Sequence, residues 1–434
     1  MIRILDTTTH DDVLQILRQR SVHRDDQTES VVKQIIADVR QRGDAALLEN
    51  ARRFDAQGLE SLVVSEEEIA SAVVPAHHEL AIRTAYERVL GFHQTQLARI
   101  TEGWIGSKNQ FRWSKGDDPG IGQRLLPVSS AGVYVPGGNA TYPSSVIMNA
   151  APGFAANVSD IAVTTPARAD GTLADSVLLA LRTVGVKRAY KIGGAAAIAA
   201  LALGTETIKR VDKIVGPGNR FVNEAKHQLW GQVGLDGYAG PSEVCVLADD
   251  AADPRFAAAD LLTQIEHAPD NAGFLVTLSR AKLDQILQEA EAQLKGAPRE
   301  ATMRQALREQ SLAIVARDLT EALDLVNEIA PEHLTLAVKD PAAAMEGVQN
   351  AGCILLGEQT PESAGDFCLG ASHTLPTSGA ARWQSPVNVL DFLKLQSVAR
   401  LSSEALQPLI PVIEAFGEME GFPTHGFGAS IRRT

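Results

Sequence analysis

The chain alternates between short apolar segments, some of which end in a glycine-rich turn, and longer segments with helical periodicity. Apolar segments with the pattern of buried strands occur from Gly132 to Asn219 and again from Glu243 to Gly357. In order they are GVYVPGG, DIAVTTPA, RAYKIGG and KIVGPGN, followed by EVCVLAD, GFLVTLS, SLAIVA, HLTLAV and CILLG. Strands that alternate with helices form parallel sheets covered on both faces. The pattern therefore predicts an α/β fold with two doubly wound units.

The chain of 434 residues is too long for one typical domain. One α/β domain is predicted over residues 132–243, and another is predicted from residues 30–131 together with residues 244–386. Residues 1–29 are predicted to form a small N-terminal element. The tail, residues 387–434, is predicted to be a second small and mainly helical element.

The charge balance argues against two classes of partner. Lys and Arg number 40 and Asp and Glu number 53, which gives a formal net charge of −13. Nucleic acids and anionic membrane surfaces both require basic protein surfaces. The sequence also has no apolar run near the roughly 20 residues of a membrane span. We therefore expect a soluble protein that binds neither nucleic acid nor membrane.

The cysteines do not form a recognisable framework. Cys245, Cys353 and Cys368 are widely spaced, and no CxxC pair occurs. Neither a set of disulfides nor a thiolate zinc site is predicted. The first residues, MIRILDTTTHDD, lack the charged-then-apolar pattern of a secretion signal. A reducing, cytoplasmic location is the expectation.

Gln264 and His267 lie three residues apart in the predicted helix Pro254–His267 and share one helix face. An oxygen and a nitrogen ligand on one face suit a divalent ion such as zinc. The spacing alone is more typical of an ordinary helix end with a capping histidine. Both interpretations stay open on these residues alone.

Asp366 follows the predicted strand CILLG, and loops after strand ends collect functional residues in α/β proteins. A turn or N-cap aspartate is the more common role for a residue in this position. His425 and Glu420 lie in the tail, and neither is informative by itself.

Glu332 and His333 form a carboxylate–imidazole pair directly before the predicted strand LTLAV. A charged pair at the start of a buried strand is costly unless it is used or paired. Such a pair suits proton transfer near neutral pH. An ion pair or an exposed turn explains the sequence equally well.

Two glycine-rich turns, GVYVPGGNA and IVGPGNRF, follow predicted strands. Such turns permit close approach of the backbone to a phosphate or ribose, although tight turns without a ligand are common. Neither turn matches the G-x-G-x-x-G pattern of dinucleotide-binding proteins. Ser242, in AGPSE, has a hydroxyl group suited either to substrate binding or to capping.

Taken together and in order, a series of short segments resembles the histidinol dehydrogenase family. The similarity extends over essentially the whole chain and includes the N-terminal segment VRQRGDAALLE. The segments are YVPGG, YPSSV-MNA, GG-A-AIAALA-GTE, VDKIVGPGN-FV-EAK, AGPSEV, Q-EH-PD, PEHL, SAGDF and H-LPT.

The resemblance implies a fold of two related, incomplete Rossmann-like domains with two small elements. It also implies zinc-dependent oxidation of L-histidinol to L-histidine with two NAD. It also implies a homodimer with shared active sites, in which His425 completes the site of the partner subunit. The implied zinc ligands are Gln264, His267, Asp366 and His425. The implied acid–base pair is Glu332 and His333, with a neutral His333 that accepts the hydroxyl proton and Glu332 that activates water. The implied substrate contacts are Ser242, His373 and Glu420, together with His333 and the zinc ligands. The implied NAD contacts are Tyr134 and Asn219.

Three positions depart from the wording usual in the family. Ala196 stands where the family has a glutamine that contacts NAD, and the loss of one hydrogen bond, worth about 0.5–1.5 kcal/mol, predicts weaker NAD binding. Tyr238 stands where the family often has a small or aliphatic residue, and Ser372 stands where it commonly has an asparagine. One alternative is therefore a related enzyme for another small polar alcohol, such as a sulfonated diol. A non-catalytic metal- or metabolite-binding homologue is a further alternative, which the retained acid–base pair disfavours.

Overall fold

The computed structural model describes residues 2–6, 10–18, 25–102, 111–113, 120–138 and 140–434. The chain forms two compact units. The larger unit contains residues 1–95 and 129–392, and the smaller unit contains residues 96–128 and 393–434.

The secondary structure of the described residues alternates between strands and helices over most of the chain. The strands are β1 (Arg3–Asp6), β2 (Phe111–Trp113), β3 (Gly120–Pro127), β4 (Ser130–Tyr134), β5 (Asp160–Thr165), β6 (Arg188–Lys191), β7 (Lys213–Val215), β8 (Gly234–Leu235), β9 (Glu243–Ala248), β10 (Ala272–Thr277), β11 (Leu312–Val315), β12 (His333–Ala337), β13 (Cys353–Leu356) and β14 (Leu393–Arg400). The helices are α1 (His10–Arg18), α2 (Asp26–Arg42), α3 (Asp44–Phe54), α4 (Glu66–Ala70), α5 (Ala76–Ile100), α6 (Pro143–Ala155), α7 (Asp175–Val184), α8 (Gly194–Leu203), α9 (Arg220–Leu229), α10 (Pro254–Ile265), α11 (Arg280–Leu294), α12 (Glu300–Glu309), α13 (Leu319–Ile329), α14 (Pro341–Met345), α15 (Glu362–Phe367), α16 (Ser403–Leu406), α17 (Ile410–Met419) and α18 (Pro423–Ser430).

Two parallel sheets form the core of the larger unit. One has five strands in the order β6-β5-β4-β7-β8, and the other has six in the order β1-β11-β10-β9-β12-β13. All neighbouring strands in both sheets are parallel. Strands β4, β9, β10 and β12 are buried almost throughout, as expected for sheets covered on both faces. The predicted α/β fold with two Rossmann-like parallel sheets is therefore confirmed.

The chain reverses direction across the five-stranded sheet between β4 and β7. It runs outward from β4 through β5 to β6 and then returns to place β7 on the other side of β4. Gly216, just after β7, has a φ of +124°, and a Cβ atom there would collide with the carbonyl oxygen of Tyr134 at the end of β4. Only glycine allows the two strand ends to approach so closely. Ligand sites in doubly wound sheets lie in the crevice at this reversal.

Helices α2 and α3 pack on the five-stranded sheet, since their apolar faces share one core with α8 and α9. The hydroxyl groups of Thr205 and Thr207 donate to the Asp44 carboxylate at the start of α3. Gly43, between the two helices, has a φ of +54°, which L side chains rarely adopt, and a Cβ atom there would force the Glu206 carboxylate to move. This packing differs from the predicted boundaries, which grouped residues 30–131 with residues 244–386. The difference arises from contacts that are distant in sequence.

The N-terminal strand also differs from expectation. The sequence predicted a separate small element over residues 1–29, whereas β1 pairs in parallel with β11 and forms an edge of the six-stranded sheet. The other predicted boundaries stay predictions.

In the smaller unit, β14, β3 and β2 form an antiparallel sheet, and α17 packs against α18. The tail, residues 387–434, was predicted to be mainly helical; it contains α16, α17 and α18 and, in addition, the eight-residue strand β14. Its sequence, LKLQSVAR, alternates apolar and polar residues in its first half, which is the period of a strand. Among the described residues, no helix combines the length and apolar character needed to cross a membrane.

Candidate active site

A cavity of about 1310 Å³ opens in the larger unit. One side is lined by residues that follow β4 and β7, at the carboxyl edge of the five-stranded sheet. The other side is lined by residues that precede β9, β10 and β12, at the amino edge of the six-stranded sheet. Of the predicted site residues, Asn219, Ser242, Gln264, His267, Glu332, His333, Asp366 and His373 line this cavity. The fold therefore gathers into one cavity residues that are far apart in the sequence.

A cluster of buried charged groups surrounds His333 on the side of the six-stranded sheet. His333 is the first residue of β12, and its Nε2 lies 3.2 Å from Asp366 Oδ1 and 3.3 Å from Glu362 Oε1. Its Nδ1 lies 3.4 Å from the backbone oxygen of Glu243 and 3.9 Å from Glu332 Oε2. Since a ring nitrogen that faces a carbonyl oxygen must donate, Nδ1 carries a proton and Nε2 is the titrating atom.

Burial and mutual attraction shift the pKa of each group in this cluster. Burial raises the pKa of Glu332 to about 8 and that of Glu362 to about 7, although His333 acts in the opposite direction on both. Burial alone would lower the pKa of His333, but Asp366, Glu332 and Glu362 outweigh it and raise the value to about 10. Burial also opposes ionisation of Asp366, but contact with His333 holds its pKa below the usual value.

Near neutral pH, His333 and Asp366 therefore form a buried ion pair, while Glu332 retains its proton. The resemblance implied a neutral His333. The carboxylates around the ring raise its pKa and keep it protonated instead.

Gln264 lies at the end of α10 and is 1% exposed. Its Nε2 donates to Glu362 Oε1, and also to Asp366 Oδ2 at 2.9 Å. His267, three residues further on, lines the same cavity, and burial lowers its pKa, which keeps the ring neutral near pH 7. A neutral imidazole has a free lone pair for a metal ion. Gln264 and His267 therefore both line the cavity, and their role as ligands stays a prediction.

His333, Glu362 and Asp366 are all buried and offer potential metal-ligand atoms within 4.8 Å of one another. This cluster lies beside the amino end of β12. The sequence analysis placed Asp366 in a loop at the carboxyl end of a strand, but it lies in helix α15 instead. The return of the chain through α15 brings its side chain to the amino edge of the sheet.

His373 has both ring nitrogens engaged within the protein. Its Nδ1 lies 3.1 Å from the backbone oxygen of Asp366, and its Nε2 lies 3.1 Å from Ser145 Oγ. Nδ1 must donate to the carbonyl oxygen, so Nε2 accepts from the serine hydroxyl. Burial lowers the pKa of His373, consistent with a neutral ring. Ser145 belongs to α6, so this hydrogen bond links the two sides of the cavity. Neighbouring Ser372 is buried, and its hydroxyl caps the Thr374 amide.

Ser242 lies immediately before β9, and its backbone N–H donates to Asn271 Oδ1 at 3.1 Å. The same Asn271 side chain donates to the backbone oxygen of Gln264 at 2.7 Å. The buried Asn271 amide thereby fixes the end of α10 relative to the serine turn. Tyr238 also lines this part of the cavity, and its ring lies beside Gly240.

The residues predicted to contact NAD lie at the carboxyl edge of the five-stranded sheet, but only one of them reaches the cavity wall. Asn219 does so, and its side-chain oxygen caps α9 by accepting from the Phe221 and Val222 amides. The Tyr134 hydroxyl accepts from the Gly194 amide at 3.2 Å, and burial raises its pKa to about 12. Ala196 is buried in α8 and packs in the apolar core.

His425 and Glu420 lie in the smaller unit, at or beside α17 and α18. Both are exposed, and the His425 ring lies 5.3 Å from that of Phe422. Their predicted roles as ligand and substrate contact stay predictions.

Sequence reasoning missed Glu362, Asn271 and Ser145, which contact the predicted site residues directly. Glu362 had a detectable signal, because it precedes Asp366 by one helical turn in ESAGDF. Asn271 and Ser145 contact the site through hydrogen bonds to the Gln264 backbone and to His373, which no local sequence pattern predicts.

The comparisons with known proteins agree with this geometry. The histidinol dehydrogenase family profile matches residues 18–433. Histidinol dehydrogenase from Synechococcus sp. is 43% identical over 99% of this chain and 95% of its own length. The enzyme of the same name from Geobacter sulfurreducens is 45% identical over 94% of this chain and 93% of its own. The crystal structure of histidinol dehydrogenase from Elizabethkingia anophelis superposes with a TM-score of 0.90 at 33% identity, covering 99% of this chain and 98% of that one. The chain therefore belongs to the histidinol dehydrogenase family.

Proposed function

We propose that this protein oxidises L-histidinol through the aldehyde to L-histidine, with zinc and two NAD. One observation carries the proposal. In a chain that matches the family over residues 18–433, a buried acid–base pair, Glu332 and His333, meets Gln264 and Asp366 in one cavity. The reaction removes four electrons and belongs to the biosynthesis of histidine. A cytoplasmic location stays a prediction from composition.

The side chains around His333 fit a divalent cation. His333 Nε2 and Glu362 Oε2 are buried atoms without a hydrogen-bond partner among the described residues. Oxygen and imidazole donors of this kind suit zinc. We propose that Gln264, His267 and Asp366 hold the ion, and that His425 of a second copy of the chain completes the set. A cation bound there would repel the proton that His333 carries at Nε2.

The carboxyl edge of the five-stranded sheet fits a dinucleotide. The close approach of Gly216 to β4 leaves a narrow backbone turn at the strand reversal, and Asn219 begins α9 beside it. Helix N-termini and such turns favour phosphate groups. We propose Tyr134 and Asn219 as NAD-contacting positions. Buried Ala196 supplies no polar group in place of the glutamine usual in the family, so NAD binding is expected to be weaker.

When bound, zinc orients the substrate and polarises its oxygen, and each NAD takes up one hydride. His333 is placed to accept the proton of the alcohol at Nε2, because Nδ1–H is directed at the Glu243 carbonyl. The ring can do so only after Nε2 has lost the proton that the surrounding carboxylates hold there. We therefore propose that His333 loses this proton before the alcohol step begins.

Glu332 is placed to activate water for the aldehyde step. Its Oε2 accepts from the Glu243 amide at 2.8 Å, which fixes the carboxylate and leaves Oε1 to accept a proton. Its pKa of about 8 makes it a stronger base than an ordinary carboxylate once it is ionised.

The charge of the cavity favours a cationic substrate. Three carboxyl groups, those of Glu332, Glu362 and Asp366, surround the proposed reaction centre. Asp366 is ionised near neutral pH, and Glu362 and Glu332 ionise as pH rises through about 7 and about 8. The amine of histidinol is attracted to such a site, whereas a sulfonated diol would be repelled. This charge balance disfavours the alternative of an enzyme for a sulfonated alcohol.

The two proposed bases should separate the two half-reactions. His333→Asn is expected to slow NADH formation from L-histidinol by about 10²- to 10⁴-fold, the usual contribution of an acid–base group, with zinc content unchanged. Glu332→Gln is expected to slow oxidation of L-histidinal by a similar factor and that of L-histidinol to the aldehyde much less. The rates are measured separately with each substrate.

Glu321→Gln is the matched control for both variants, since Glu321 is a buried carboxylate at the start of α13 and does not line the cavity. It should retain both activities. If Glu332→Gln slowed oxidation of the alcohol and of the aldehyde by the same factor, the assignment of Glu332 to the aldehyde step would be refuted.

Zinc should stabilise the protein more strongly as pH rises. The pKa values of about 8 for Glu332 and about 10 for His333 lie above their ordinary values of 4.5 and 6.5, so the folded metal-free chain holds protons that the unfolded chain has lost. Stability then falls as pH rises, by about 1.4 kcal/mol per pH unit for each such proton. The charge of a zinc ion bound beside them would lower both pKa values, so the zinc-loaded chain would hold fewer of these protons. The difference in Tm between zinc-loaded and chelator-treated protein should widen from about pH 6 to about pH 9.

Glu332→Gln removes one titrating group and should show a smaller widening. A Tm difference that stays constant or narrows with rising pH in the unsubstituted protein would contradict the proposed link between cluster protons and zinc.

A mixed dimer tests whether active sites are shared. His333→Asn and His425→Asn should each be inactive alone. If His425 serves the second subunit, a dimer with one chain of each kind contains one complete site, built from the unsubstituted residue of each chain. Activity should therefore return in heterodimers purified with two different tags. Mixed dimers without activity would assign His425 elsewhere.

A further inference from the structure

Glu362 is a buried carboxylate that the proposed mechanism does not use. It is the first residue of α15 and is 0% exposed. Its backbone N–H donates to Asp260 Oδ1 at 3.2 Å, which fixes the start of the helix. Leaving a carboxylate in such a place costs stability unless its charge or its hydrogen bonds are needed.

The Glu362 carboxylate contacts Gln264, a proposed zinc ligand. Gln264 Nε2 donates to Glu362 Oε1, and also to Asp366 Oδ2 at 2.9 Å. Glu362 and Asp366 lie one helical turn apart on the same face of α15, so both reach the same amide nitrogen. The two hydrogens of that nitrogen are therefore directed at two carboxylates.

This arrangement determines which end of the amide is available to a cation. Contact with His333 keeps the Asp366 carboxylate ionised, and an ionised carboxylate accepts hydrogen bonds but cannot donate them. Glu362 Oε1 accepts from the same amide nitrogen, so the NH₂ end of Gln264 faces both groups. The amide oxygen is the end that remains for another ligand, and it is the end that binds metal ions. Asp366 is itself a proposed ligand, and its carboxylate would be shared with the ion. Glu362 is then the contact that holds the amide in this orientation.

We propose that Glu362 is a positioning residue, whose carboxylate fixes the Gln264 amide so that its oxygen is presented to the divalent cation. This inference rests on the proposed function. Partners of metal ligands in the surrounding shell typically contribute 10- to 100-fold in metal affinity. Glu362 lies 3.3 Å from His333 Nε2 as well, so it borders both the proposed ligand and the proposed base.

The test is a double-mutant cycle on zinc affinity, measured by competition with a chromophoric chelator. Glu362→Gln keeps the shape of the side chain, but its amide can donate as well as accept, so Gln264 is free to turn over. Zinc affinity should fall by about 10- to 100-fold in Glu362→Gln. Gln264→Ala should also weaken binding. The double variant should bind zinc no more weakly than Gln264→Ala alone, to within about twofold, because Glu362 acts through Gln264.

Each outcome is decisive. Losses that add in the double variant would overturn the proposal, since they would show that Glu362 binds the ion directly or acts through another group. Unchanged affinity in Glu362→Gln would overturn it too. If the unsubstituted protein itself bound no zinc, the proposed function would fail instead. Glu321→Gln, a buried carboxylate outside the cavity, should leave zinc affinity unchanged.

Far-UV circular dichroism and thermal unfolding of the metal-free variants establish that they fold. If Glu362→Gln does not fold, Glu362→Asp provides a second test. It retains the charge but withdraws the carboxylate by one methylene group. Affinity equal to that of the unsubstituted protein in Glu362→Asp would then contradict the proposal, while a loss that disappears in the Gln264→Ala background would support it.

Discussion

The site depends on the compensation of charge around one buried imidazole. His333 is 1% exposed, and its Nε2 lies within 3.3 Å of the carboxylates of both Glu362 and Asp366. Groups with these charges are expensive to bury separately and become tolerable only together. The fold must therefore hold the end of α10 and one face of α15 close to the start of β12. The same compensation keeps a proton on His333 beside Asp366, a proposed metal ligand, so protonation of the cluster is expected to affect metal affinity and stability.

The two sheets present opposite edges to the cavity. The five-stranded sheet contributes its carboxyl edge at the strand reversal, the usual ligand position in doubly wound folds. The six-stranded sheet contributes its amino edge, through Ser242, the Glu332–His333 pair and the end of α10. One side thus offers backbone turns suited to a dinucleotide, and the other offers side chains suited to a cation and to proton transfer. Hydrogen bonds such as that from Ser145 to His373 join the two sides.

The sequence predicted those parts of the structure that local patterns encode. The buried strands were visible as apolar runs. The site residues were recognisable only from the order of several short segments. The packing of α2 and α3 on the five-stranded sheet, the pairing of β1 with β11 and the charge state of His333 were not predictable. Each depends on groups that only the fold brings together, and charge state responds to burial as well as to neighbours.

The most direct test of the central claim is the number of NADH molecules formed per L-histidinol consumed by the zinc-loaded protein. A cavity that holds both the proposed alcohol-step base and the proposed water-activating carboxylate predicts two NADH for each L-histidinol, with L-histidine as product. One NADH per substrate, with free aldehyde released, would contradict the assignment of Glu332 to the second oxidation. No NADH from folded, zinc-bound protein would show that histidinol is not the substrate of this chain.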